Sequence, residues 1–118
     1  DRRFGGTAHL EESDVSLRVR AQGYRIRFVP QASLTHLSLQ VGGCRELDLA
    51  RWLYWYGHNY LLFARKNLPA VAFPIFLAER VAKLLYTGLR HARPAYFLRG
   101  MVGLFDGWRS SRRPAEGL

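Results

Sequence analysis

Two hydrophobic rhythms divide the chain. Residues 24–29 read Tyr-Arg-Ile-Arg-Phe-Val and alternate strictly. In an extended segment Tyr24, Ile26 and Phe28 share one face, with Arg25 and Arg27 on the other, which predicts a strand. Pro30 ends it, because proline has no amide donor. A second short strand is predicted over residues 33–37. Ahead of these, residues 12–22 read as a helix. Val15, Leu17 and Val19 fit either period, so the ends decide. Ser13 and Asp14 stand at the N-terminus, Arg18 and Arg20 suit the negative end of the dipole, and Gly23 suits the residue after the last turn.

From about residue 46 the rhythm becomes helical. Leu49, Leu53, Tyr56, Tyr60 and Phe63 recur every three or four residues. Leu68-Pro69 breaks this run. A further helix is predicted over residues 70–92, with Pro74 near its start, and a third over residues 95–108. Gly100, Gly103 and Gly107 read as loosening that last helix. Gly5-Gly6 and Gly42-Gly43 mark loops. The longest apolar stretch in this half, residues 67–78, is about 12 residues long, well short of the roughly 20 that span a bilayer.

Composition sharpens this picture. A chain of 118 residues, 48% of them hydrophobic, suits one modest folded domain rather than a disordered segment. The single cysteine, Cys44, rules out an internal disulfide and fits a reducing compartment. No secretory signal pattern opens the chain. It begins at Asp1 and has its one methionine at position 101, which we read as the mark of a piece of a longer protein. The net charge of +9 is unevenly spread. Residues 1–49 hold 7 Lys/Arg against 6 Asp/Glu, and residues 50–118 hold 11 against 3. That excess points the second half toward an anionic surface, nucleic acid or lipid, or simply solvates exposed helices. Trp52, Tyr54, Trp55, Tyr56 and Tyr60, with Arg65, Lys66, Arg80, Lys83, Arg90 and Arg93, suit an interfacial helix on lipid, and equally suit helices packed on one another.

Candidate chemistry concentrates in Glu11, Glu12 and Asp14, three carboxylates within four positions at a helix start. Acids there are stabilised by the dipole and by free amides, which is a purely structural role. A carboxylate so placed also suits a general base that takes a proton from an attacking hydroxyl. His36 follows the predicted strands. A lone imidazole is either structural or one ligand of a divalent ion.

The order of these residues resembles a known family. Glu11-Glu12-Ser13-Asp14-Val15, Leu17-Arg18, Gly23-Tyr24, Pro30 and His36 follow one another as in family 2 glycosyltransferases of the GT-A fold. Members of that family read Glu-Asp-x-Asp-Leu, then Leu-Arg, Gly-Tyr, Pro and Val-x-His. Asp1-Arg2-Arg3-Phe4 is similar to the Asp-x-x-Phe that precedes the acidic motif. Tyr56-Gly57-His58-Asn59 is similar to a Tyr-x-x-Arg-Asn segment, with His58 at the Arg position. Gly103 with Phe105-Asp106-Gly107 is similar to a late Gly-x-x-Asp-Gly. The likeness covers most of the chain and is strongest over residues 1–63.

The resemblance implies an α/β fold class. Residues 1–45 would close a GT-A catalytic domain, as a helix plus short strands, and residues 46–118 would form a helical extension on a membrane surface. It implies sugar transfer from a nucleotide-sugar donor to a glycan or lipid-linked acceptor, with inversion. Glu12, where Asp is commoner in the family, is the expected base. Glu11 is the second candidate, and Asp14 would hold the helix start or a neighbouring group. His36 would help bind the donor diphosphate and its metal, magnesium or manganese, which a missing half would mostly hold. The chain alone would be inactive. The expected location is cytoplasmic, peripheral on the inner face of the cell membrane, with no nucleic-acid partner. The competing classes are a small basic nucleic-acid-binding module and a membrane-surface protein without catalysis.

Overall fold

A computed structural model describes residues 1–35 and 46–114. Its elements are four helices: α1 (Glu11–Ala21), α2 (Leu49–Asn67), α3 (Phe73–Arg90) and α4 (Pro94–Ser111). Helix α2 begins where the Asp48 carboxylate accepts from the amides of Ala50 (2.8 Å) and Arg51 (3.4 Å). It stops ahead of Pro69, which disfavours helical backbone in the residue before it. Prolines open the next two helices as well. Pro74 lies in the first turn of α3 and Pro94 is the first residue of α4, where a missing amide hydrogen costs nothing. Pro74 therefore starts its helix rather than kinking it.

The core is the meeting of α2, α3 and α4. Leu53, Tyr56, Leu61, Leu84 and Leu104 form it, with Leu62 and Ala64 also buried. The glycines of α4 make the closest contacts. A methyl group on Gly103 would collide with the Tyr54 carbonyl, one on Gly107 with the His58 carbonyl, and one on Gly100 with the Leu84 side chain. From the other side, a methyl on Gly57 would meet the Gly100 carbonyl and stand 2.9 Å from the Leu104 nitrogen. The expectation that these glycines loosen the third helix is corrected: they let two backbones approach, and α4 runs unbroken to Ser111.

The N-terminal loop packs on a second side of α2. The indole of Trp55 occupies the space a side chain on Gly5 or Gly6 would need, and Gly6 is left-handed at φ +56°. Asn59, fully buried, donates to the Gly5 carbonyl (2.9 Å) and accepts from the Gly5 amide (3.3 Å). Arg3 donates to the carbonyls of Arg113 (2.7 Å) and Ser110 (3.4 Å), so both ends of the described chain meet across α2.

The expected α/β class is overturned, because the described residues are helical and contain no strand. Residues 24–29 have no ladder beside them. Tyr24, Ile26 and Phe28 are 69%, 58% and 87% exposed, and a turn from the Val29 carbonyl to the Ala32 amide (3.0 Å) follows. Alternation supplies one face of a strand but not the neighbour its amides and carbonyls require. Of the second predicted strand, residues 33–35 are without regular structure and residues 36–37 lie outside the described residues. Helix α1 starts one residue earlier than expected. Its first turn is closed by Leu10 in the left-handed region (φ 68°), with no side-chain cap, so Ser13 and Asp14 are not its caps. Gly23, at φ +87°, does end it, and its amide bonds to the Arg20 carbonyl at 2.9 Å.

Candidate functional site

Asp14 explains why α1 sits where it does. Its carboxylate is 1% exposed and lies 2.7 Å from Lys66 Nζ, 3.1 Å from Arg18 Nε and 3.2 Å from Asn67 Nδ2. Lys66 also reaches Asp1 (2.6 Å), and Asp1 pairs with Arg3 (2.7 Å). Phe4 is buried beneath this group, with Lys66 Nζ 5.3 Å from its ring centre. The Asp-x-x-Phe opening and the third acid of the acidic motif thus meet at the end of α2. Burial alone raises the Asp14 pKa. Hydrogen bonds from Lys66 and Asn67 and the charges of Lys66 and Arg18 together outweigh it, and the carboxyl is held below its ordinary 3.8.

With Asp14 committed inward, Glu11 and Glu12 face solvent from the same turn. They line a cleft of about 390 Å³ whose walls are Thr7, Ala8, His9, Leu10, Ser13 and Tyr60. The loop that forms it is conformationally costly. Ala8 (φ 49°) and Leu10 (φ 68°) both adopt left-handed backbone without being glycine. Between them His9 is held against aromatic rings, at 5.7 Å from Trp52, 6.4 Å from Tyr56 and 5.8 Å from Tyr60. The Thr7 hydroxyl is buried in the wall with no hydrogen-bond partner within the described protein.

Tyr60 belongs to an aromatic ladder along α2. Trp52 and Tyr56 stack at 5.1 Å, Tyr56 and Tyr60 approach to 4.4 Å, and Phe76 of α3 follows at 6.3 Å. The Arg80 guanidinium lies over this ladder, 4.5 Å from the Tyr60 ring centre, and bonds to the Tyr56 hydroxyl and to Glu79. Burial pushes the Tyr56 hydroxyl pKa above its usual 10.0, and Arg80 only partly opposes that, so Tyr56 remains a neutral phenol.

A larger cleft of about 490 Å³ lies against a different stripe of α2, beside Tyr54, Trp55 and His58, and holds neither glutamate. Arg2, Arg109 and Arg113 make it basic, and several of its other polar groups bond within the chain. Tyr54 donates to Asp106 (3.0 Å), and burial followed by that carboxylate pushes the Tyr54 pKa up. Asn59 Oδ1 is an acceptor from Gly5, so His58 donates to it through Nδ1 (2.9 Å) and accepts from Ser110 Oγ through Nε2 (3.1 Å). Every Arg3 donor group is already engaged. His58-Asn59 and Asp106-Gly107, two of the segments that carry the resemblance, therefore bind other parts of this chain.

The acidic motif is thus split into one inward acid and two outward ones. His9 and Thr7 join the outward pair without having been singled out, and Tyr60, read from the sequence only as a helical or interfacial aromatic, joins them, because the link between the loop and α2 spans more than fifty residues. His36 lies outside the described residues. Among the described residues no three His, Cys, Asp or Glu side chains converge to hold a metal ion. No family model, curated protein or solved structure matches the chain.

Proposed function

We propose that this chain supplies the acceptor side of a sugar transfer from a nucleotide-sugar donor, with Glu12 as general base. Glu12 removes the proton from an acceptor hydroxyl as that oxygen attacks the anomeric carbon. The bond from that carbon to the donor diphosphate breaks, and the nucleotide leaves with its electrons. Glu11, on the same turn, is the second candidate. The observation that carries this reading is the split of the acidic motif: Asp14 is consumed by Lys66, Arg18 and Asn67, while both glutamates open onto a cleft walled by His9 and Tyr60. Tyr60 forms one wall of that cleft, on the side facing the glutamates' turn. The acceptor class is a glycan or a lipid-linked saccharide.

The test uses the protein encoded by the complete reading frame, a panel of nucleotide sugars, and variants Glu12→Gln and Glu11→Gln. Glu12→Gln is expected to lower turnover by about 10²- to 10⁴-fold with donor affinity and melting temperature kept. Unchanged turnover in Glu12→Gln would remove it as the base. If Glu11→Gln alone gave the loss, the role would pass to that residue. A fall in stability without a specific loss of turnover would make both acids structural.

A further inference from the structure

We propose that the outer face of the α3–α4 hairpin is a docking surface for an anionic lipid bilayer. On α3, Ile75, Leu85 and Leu89 are 76%, 47% and 71% exposed. On α4, Leu98, Val102 and Phe105 are 60%, 49% and 56% exposed. Each trio recurs at helical spacing and lies away from the stripe that packs inward, where Leu84, Gly88, Gly103 and Gly107 are buried. Leu85 and Leu89 also border an apolar groove of about 390 Å³, closed by Ala92, Pro94 and Phe97. The hairpin thus carries more apolar surface than its own core uses.

The charges around this surface select its partner. Lys83, Arg90 and Arg93 are all exposed, and none pairs with a carboxylate among the described residues. The two acids of the hairpin are already engaged, Glu79 with Arg80 and Asp106 with Tyr54. A second copy docking face to face would bring two sets of these cations together, which is unfavourable. Nucleic acid would meet the cations but leave the aliphatic side chains uncovered. A lipid surface meets both demands: phosphate headgroups take the cations, and the upper acyl region takes the leucines and Val102. Among the described residues no helix is long and apolar enough to cross a membrane, so the hairpin would lie along the surface.

The test is co-sedimentation of the 118-residue chain with vesicles of phosphatidylcholine alone or mixed with phosphatidylglycerol. Partitioning is expected to be at least about tenfold stronger into the anionic vesicles and to weaken with salt. The double variant Leu89→Glu, Val102→Glu, at exposed positions, should lose binding to both while keeping its helical circular dichroism. Lys83→Glu with Arg90→Glu should lose the anionic preference alone. Equal binding to both vesicle types, no binding, or binding untouched by Leu89→Glu and Val102→Glu would each overturn the proposal. So would a concentration-dependent dimer that the leucine and valine variants abolish without any vesicle binding. The surface lies on α3 and α4 and the glutamates on α1, so this inference and the catalytic reading fail separately.

Discussion

Three acids within four positions have two different fates, and Asp14 shows what separates them. A buried carboxylate is tolerable only with partners for its charge, and Asp14 has Lys66, Arg18 and Asn67. Asp14→Asn would leave Lys66 with Asp1 as its remaining partner and is expected to cost about 2–3 kcal/mol, read as a lower denaturation midpoint. The pH dependence follows from the direction of the shift. The folded-state value lies below the ordinary 3.8, so the unfolded chain takes up the proton first as pH falls. The stabilisation is complete above that ordinary value and is lost as pH falls through the folded one. Urea midpoints of the native chain should therefore fall below about pH 4, and Asp14→Asn should lack that component. An equally steep fall in the variant would place the acid sensitivity elsewhere. Glu12 has no such partners among the described residues, and this freedom is the physical basis of the proton transfer proposed for it.

Among the elements, the helices were legible and their seam was not. The three- and four-residue recurrence of apolar positions predicted α2, and the breaks at Pro69 and Pro94 bounded α3 and α4, each to within a few residues. Gly100, Gly103 and Gly107 look like breakers in isolation, since glycine is a poor helix former. Their role depends on the Leu84 side chain and the Tyr54 and His58 carbonyls of other helices, which local sequence does not reveal. Residues 24–29 fail in the opposite sense. Their alternation is local and correct, but the strand needs a neighbour that the described residues do not provide. The seam makes a specific prediction. Gly103→Ala places a methyl group against backbone that cannot swing aside, and is expected to destabilise by on the order of 1–3 kcal/mol despite the better helix propensity of alanine. Gly23→Ala meets no neighbour within 4 Å but sits at φ +87°, so it should cost less, about 1 kcal/mol, through the backbone alone. Similar costs for the two, in thermal melts, would mean that α2 and α4 are not in close backbone contact.

For the whole molecule, the acidic motif was legible because its residues adjoin in sequence. The cleft was not, because its walls come from Thr7–Ser13 and from Tyr60, and it exists only once Asn59 has clasped Gly5 and Lys66 has gathered Asp1 with Asp14. The cleft also limits what the chain can do alone. At about 390 Å³ it is the size of a site for one small ligand. Sugar transfer needs two, a donor and an acceptor, with the reacting atoms about 3–3.5 Å apart. On the proposed reading the carboxylates of this cleft serve the acceptor hydroxyl, while the donor needs a cradle of its own. The purified 118-residue chain is therefore expected to show no turnover with any nucleotide sugar, measured as nucleoside diphosphate released in the presence of oligosaccharide acceptors. On the proposed reading, any turnover by the complete protein should depend on Glu12. Activity in the 118-residue chain would mean that donor and acceptor are both bound here, and would move the search for the donor site to the basic cleft beside Tyr54 and His58.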